Sequence, residues 1–377
     1  MENNGYKYRK IFKVVANVFV RYRFGYTPHK RKLNLDTPFI ILANHVTDFD
    51  IGFMLADIDE YFRPVASEHV ITASGTGPLV KKFFDPITVY KGSIKVGGVR
   101  KILRSLRDGQ SVMLHPEGAR SFDGTNLRMD AEIGKLVRSS KAALVTYKIQ
   151  GGYLLSPRWA TNPRKGKAWG QIVNIYTAEE VRKMSAEEIT EIINRDLYED
   201  AYETQKVNRL EYKAKGLAEG IENLIYICPE CGSIGTLKGE GDYASCTCGF
   251  SAKMDSYGYF NETESVRDWV LRQQKQFDKM YEGDILFTDE NVTIARIEED
   301  HSRTLIHQGI IEGNKKGIKA GEYSFAFADF DDELDLQQKG YTGNFAIGGV
   351  HYEIEGPGLN LYKYWMLHCR FIEESEE

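Results

Sequence analysis

Phe39-Ile40-Ile41-Leu42-Ala43-Asn44-His45-Val46-Thr47-Asp48-Phe49-Asp50 is an apolar run that breaks into a polar turn. Five consecutive apolar residues followed by polar ones predict a buried strand. On one continuous helix the five-residue step from His45 to Asp50 would turn the two side chains about 140° apart. Their pairing therefore requires a strand-to-helix turn, with His45 in the loop and Asp50 in the first turn of a helix over Asp50–Leu55. There the carboxylate complements the helix dipole. It also accepts an imidazole N–H, which fixes the tautomer and leaves the other ring nitrogen to take a proton. No Ser or Cys falls in this frame, so the pair suits direct activation of a substrate hydroxyl rather than a covalent enzyme intermediate. Alone, the H-x4-D spacing is a weak signal, because a lone histidine is more often structural.

The chain around this stretch has 377 residues, 42% hydrophobic and 27% charged, which is a globular composition with room for two or three domains. A net charge of −5 excludes a protein that coats nucleic acid with its whole surface. Residues 1–35 carry nine Lys or Arg against one acid, Glu2. Within them Ile11, Val15, Val18 and Tyr22 recur with helical spacing opposite Lys10, Lys13, Asn17 and Arg21, a basic amphipathic pattern that suits an anionic membrane surface. An ordinary helix packed on the domain that follows reads equally well. No apolar run approaches the ~20 residues of a spanning helix, and no signal-peptide core opens the chain. The expectation is a cytoplasmic protein, peripherally associated with the inner face of the membrane.

Beyond the His45 turn, strand-like and helix-like runs alternate. Arg63–Ser67, Ile87–Tyr90, Ser111–Leu114, Ala142–Ile149 and Gln171–Tyr176 look extended and Val99–Leu106 looks helical. This pattern predicts an α/β domain with helices around a mostly parallel central sheet, whose sites form at strand ends. The run Ser111–Leu114 leads into a second block, His115-Pro116-Glu117-Gly118-Ala119-Arg120-Ser121. A guanidinium binds phosphate through a bidentate fork, which makes Arg120, beside the turn at Gly118, the first candidate for an anionic group.

Together, the Asn44-His45-x4-Asp50 block and the Glu117-Gly118-Ala119-Arg120 block about seventy residues later resemble the glycerolipid acyltransferases typified by 1-acylglycerol-3-phosphate acyltransferase, over roughly residues 35–180. The resemblance implies a fatty acyl group moved from acyl-CoA or acyl carrier protein to the free hydroxyl of a lysophospholipid, first of all 1-acylglycerol 3-phosphate giving phosphatidate. Acylation of glycerol 3-phosphate or another lysolipid, or a non-catalytic lipid-binding scaffold, are the alternatives. It implies His45 as the base held by Asp50, Arg120 on the substrate phosphate, and Glu117 positioning Arg120 or a glycerol hydroxyl. Lys91 stands where relatives carry an arginine after a short strand and would add a point charge. Two residues depart from the family pattern. His115 replaces the usual aromatic residue and is a rival base without a matching carboxylate, while Ala119 replaces a threonine.

From Ser185 the capping box Ser185-x-x-Glu188 opens a charge-rich helical stretch to about Ile225, read as a solvated connector. Cys228-x2-Cys231-Gly232 and Cys246-x-Cys248-Gly249 follow, fourteen residues apart. Two thiolate-bearing turns, each closed by glycine, predict a zinc ribbon with structural zinc on Cys228, Cys231, Cys246 and Cys248 and no open position for catalysis, ahead of free thiols or an iron site on the same four ligands. Glu222, Glu230, Glu240 and Asp242 surround it, which argues against a nucleic-acid partner. Short alternating runs beyond residue 283, separated by turns such as Gly348-Gly349, predict a small antiparallel β domain. The expected order is an N-terminal helix over 1–35, an acyltransferase domain over 36–182, a helical connector over 183–226, the zinc ribbon over 227–260 and the β-rich domain over 283–377.

Overall fold

A computed structural model describes residues 4–67, 84–89, 97–127, 129, 132–298, 300, 302–337 and 341–376; Lys91 lies outside the described residues. The chain divides into two compact units, residues 1–157 with 164–213, and residues 158–163 with 214–377. Among the described residues no helix is long and apolar enough to cross a membrane.

The first unit is α/β. In chain order it contains α1 (Asn4–Phe24), β1 (Phe39–Ala43), α2 (Asp50–Asp57), β2 (Arg63–Ser67), β3 (Ile87–Val89), α3 (Val99–Arg107), β4 (Val112–Leu114), α4 (Ile133–Ser140), β5 (Ala143–Gln150), α5 (Gly152–Leu155), β6 (Trp169–Tyr176), α6 (Ala178–Lys183), α7 (Ala186–Leu197) and α8 (Ala201–Asn208). Its six strands run in the order β3-β2-β4-β1-β5-β6. All neighbours are parallel except the last pair. β1 lies between β4 and β5 and is buried along its whole length, which is why its sequence is continuously apolar rather than alternating. Ile40 and Leu42 of β1, Val112 and Leu114 of β4 and Leu144 of β5 pack with Ile102, Val137, Ile189, Ile193 and Leu197 in one core.

That core takes in α7, where a solvated connector is expected from composition. Ile189, Ile193 and Leu197 recur every four residues among the glutamates of α7 and form an apolar stripe that is fully buried. Its start does follow the sequence: the Ser185 hydroxyl accepts the Glu188 N–H and the Glu188 carboxylate accepts the Ser185 N–H.

Helix α1 is apolar on two sides. Ala16, Val20 and Phe24 are buried, and Phe24 stacks on Phe53 of α2 at 5.0 Å between ring centroids. Ile11, Val14, Val15, Val18 and Tyr22 are 56–93% exposed. The residues read from the sequence as the apolar face thus form an exposed stripe, and a different face packs on the domain.

In the second unit a three-stranded antiparallel sheet, β7 (Leu237–Glu240), β8 (Tyr243–Cys246) and β9 (Ser251–Lys253), precedes the small hairpin of β10 (Tyr259–Phe260) and β11 (Glu264–Ser265). Helix α9 (Val266–Glu282) follows, with a Ser265/Asp268 capping box and Trp269, Val270, Phe277 and Tyr281 buried along one side. The remainder is β12 (Phe287–Ile297), β13 (Arg303–Asn314), β14 (Gly317–Ala320), β15 (Tyr323–Ala326), β16 (Asp335–Leu336), β17 (Thr342–Ile347) and β18 (Val350–Glu355), closed by α10 (Tyr362–Glu376). These strands form one antiparallel sheet in the order β15-β14-β13-β12-β18-β17-β16.

Candidate active site

Because β1 and β4 are parallel neighbours in the register Leu42↔Leu114, both strands end at the same edge of the sheet. The loops that leave them begin side by side although about seventy residues separate them in sequence. His115 Nδ1 lies 2.9 Å from the Ala43 carbonyl, and the Ser121 N–H donates to the His45 carbonyl at 3.2 Å. Asn44 fastens the same edge on its other side. Its side-chain amide donates to the Ile149 carbonyl at 2.8 Å and accepts the Ile149 N–H at 2.7 Å, so a side chain continues the ladder between β1 and β5 by one step.

Asp50 is the first residue of α2, and the loop from His45 folds back over it. Its Oδ2 lies 2.9 Å from His45 Nδ1 and accepts the Val46 N–H at 2.8 Å; its Oδ1 accepts the Thr47 N–H at 2.9 Å and the Thr47 hydroxyl at 2.6 Å. Burial opposes a charge on Asp50, but the hydrogen bonds from His45 and Thr47 outweigh it and hold the carboxyl below its ordinary value. An ionised Asp50 makes Nδ1 of His45 the protonated nitrogen and leaves Nε2 with its lone pair. The Asp50 side chain is 1% exposed and that of His45 25%, so the dyad has one buried end and one open end.

The His45 and His115 rings stack with centroids 4.1 Å apart and planes 7° from parallel. Burial lowers the pKa of both; for His45, with His115 adding to the effect, it falls to about 3. Since the Ala43 carbonyl can only accept, His115 also carries its proton on Nδ1. The ligand atoms of His45, Asp50 and His115 lie within 4.8 Å of one another, with His45 bonded to Asp50 and His115 to the Ala43 carbonyl.

The Glu117 carboxylate accepts the His45 and Leu127 N–H groups and the Asn126 side-chain amide. Burial raises its pKa to about 7 despite those bonds. Gly118, at φ +70°, makes the turn after it, in the left-handed region that glycine tolerates. Arg120, 7% exposed, pairs with Asp48 of the first block at 3.4 Å. His45, Asp50, Glu117, Gly118 and Arg120 therefore share one strand-end cluster.

Sequence reading gave no part to Thr47 or Asn126, and it held Asn44 only as the first residue of the Asn44-His45-x4-Asp50 block, with no role of its own. Backbone N–H groups at a turn beside a catalytic base are the usual donors to an oxyanion. Those of His45, Val46, Thr47 and Phe49 are already bonded to Glu117, Asp50 and the Thr47 hydroxyl. The Ser121 hydroxyl is buried and accepts the Gly124 N–H, so it offers no nucleophile here.

The second unit carries a different constellation. The sulfurs of Cys228, Cys231, Cys246 and Cys248 lie within 4.8 Å of one another. The two turns repeat each other. The N–H of Cys228 donates to the Ser233 carbonyl and that of Cys246 to the Phe250 carbonyl, each at 2.9 Å, and Gly232 and Gly249 take positive φ in both. Cys231 Sγ and Cys246 Sγ are 3.8 Å apart. A tetrahedral zinc with Zn–S bonds of about 2.3 Å separates its sulfurs by about 3.8 Å, so these donors fit that ion.

Residues 26–150 match the family model described as Acyltransferase. Among solved structures, the crystal structure of the 1-acyl-sn-glycerophosphate (LPA) acyltransferase, PlsC, from Thermotoga maritima aligns with 52% of this chain and 82% of its own, at 21% identity and a TM-score of 0.40. No curated protein matches the chain.

A histidine buried as the neutral form is lost on unfolding, where its pKa returns to about 6.5. His45 therefore stabilises the fold above about pH 6.5, and that contribution falls away as the pH drops from there toward 3. An imidazole 15N NMR titration should show His45 neutral and protonated on Nδ1 from pH 8 down to 5; an imidazolium signal with a midpoint above pH 6 would contradict the geometry.

Proposed function

We propose, since residues 26–150 are a domain of the acyltransferase family, that this chain transfers a fatty acyl group from a thioester donor to the free hydroxyl of a lysophospholipid, with 1-acylglycerol 3-phosphate as the preferred acceptor. The observation that carries the proposal is the convergence at one sheet edge of a neutral imidazole tied to a buried aspartate and a nearly buried guanidinium. His45 Nε2 takes the hydroxyl proton as the acceptor oxygen attacks the thioester carbonyl. The C–S bond then breaks, and the imidazolium returns the proton to the departing thiolate. Arg120 offers a fork to the acceptor phosphate, in competition with Asp48, which is half exposed and can swing away. Lys91 is retained as a second cation for the same phosphate. The donor is acyl-CoA or acyl carrier protein.

Thiol release from acyl-CoA and from acyl carrier protein with a panel of lysolipids tests this. His45→Ala should lower kcat by at least ~10²-fold. Arg120→Ala should raise KM for the phosphorylated acceptor by ~10-fold or more while sparing acceptors without phosphate, in line with loss of a bidentate charge-assisted contact. Full turnover by His45→Ala refutes the mechanism.

The exposed stripe of α1 supports peripheral membrane binding. Ile11, Val14, Val15, Val18 and Tyr22 face outward on a helix whose last turn carries Arg21 and Arg23. Val14→Asp with Val18→Asp should abolish cosedimentation with vesicles containing phosphatidylserine; equal binding by wild type and variant removes this helix as the anchor.

In the second unit Cys228, Cys231, Cys246 and Cys248 are assigned to a structural zinc, which would tie together a segment too small to hold itself by core packing. Protein purified without added metal should contain one zinc per chain by mass spectrometry, and Cys231→Ser should lose it. Full-length folded protein without zinc contradicts the assignment.

A further inference from the structure

The second block reaches His45 through a carboxylate. Oε1 of Glu117 accepts the His45 N–H at 3.0 Å and Nδ2 of Asn126 at 2.7 Å, while Oε2 accepts the Leu127 N–H at 3.0 Å. The side chain is 8% exposed. Asn126 extends the chain of bonds, because its Oδ1 accepts the Glu199 N–H just ahead of α8. Three segments distant in sequence thus meet on two side chains: the β1–α2 loop, the loop that follows the second block, and the link from α7 to α8. A carboxylate whose oxygens face three internal donors has little capacity left for a glycerol hydroxyl or for a guanidinium.

From this geometry we propose that Glu117 and Asn126 are a positioning pair: they fix the backbone at His45, and through it the imidazole, without touching the substrate. The inference rests on the acyl-transfer reading given above and deepens it. The bond is to the amide of the base's own residue, so a shift of the carboxylate moves the ring. A displacement of about 1 Å is enough to cost on the order of 10²-fold in rate. The pair also explains why a glutamate is needed. Glutamine keeps the size but replaces one acceptor oxygen by an NH2 group, which must then face an N–H of His45 or Leu127. Acidification does the same. With its pKa raised to about 7 by burial, and by the neighbouring Asp50 charge in smaller part, Glu117 gains a proton as the pH falls below 7 and turns an acceptor into a donor.

Two measurements on the full chain test this. In steady-state acyl transfer, Glu117→Gln should lower kcat by about 10²-fold and Asn126→Ala by about 10-fold, each with acceptor KM changed less than about 2-fold. In hydrogen–deuterium exchange without substrate, the His45 amide should exchange faster in both variants. A rise in acceptor KM at unchanged kcat in Glu117→Gln would return Glu117 to substrate contact and overturn the proposal, as would wild-type kcat and exchange in Asn126→Ala. If Glu117→Gln does not fold, Asn126→Ala carries the test. Exchange needs no turnover, so a wild-type chain without acyl-transfer activity would defeat the functional reading while leaving the positioning pair to be decided on its own.

Discussion

The pairing of β1 with β4 is the contact on which the site depends. Parallel strands put their C-terminal ends at the same edge, and the register Leu42↔Leu114 makes Ala43 and His115 neighbours. A slip of one residue would point Ile40 and Leu42 at the opposite face of the sheet and out of the core they share with Val112, Leu114 and α7. The hydrophobic core therefore fixes the site geometry as well as the fold. Polar bonds refine it from there: Asn44 to β5, Glu117 to the His45 amide, and Thr47 to Asp50.

The electrostatics follow from burying the cluster unevenly. Asp50 keeps its charge in a nearly sealed position because every donor around it, two backbone N–H groups, one hydroxyl and one imidazole N–H, points at its two oxygens. His45 cannot keep a charge there, since burial strips its solvation and His115 is stacked against it. The same loss of solvation acts on both groups with different outcomes, decided by who donates to whom.

Much of this could be read from the chain. The strand–turn–helix at residues 39–57, the second block at a strand end, the Ser185 capping box and the close cysteine pairs all follow from local patterns. Composition misled where a narrow stripe did the packing: the glutamates of α7 hide three buried residues four apart, and α1 packs through Ala16, Val20 and Phe24, a second face that the pattern of Ile11, Val15, Val18 and Tyr22 overshadowed. Helix α9 went unread although Ser265, Asp268 and the spacing of Trp269, Phe277 and Tyr281 announce it. Asn126 is a separate case. Its partners, Glu117 and Glu199, lie nine and 73 residues away, and only the fold brings them together, so nothing within a short window marks it.

The Asp48–Arg120 pair shows how the two blocks constrain each other. A guanidinium 7% exposed needs a counter-charge nearby, or its desolvation would work against the fold. Asp48 supplies one from the loop that carries His45, and with its own side chain 51% exposed it can be exchanged for another anion at small cost. Glu117, by contrast, is buried and bound to three donors, so exchanging it would strand all three. Of the acids around Arg120 and His45, the exposed one is thus suited to yield its place and the buried ones to hold theirs. On the function proposed above, that division assigns substrate contact to Arg120 and scaffolding to Glu117.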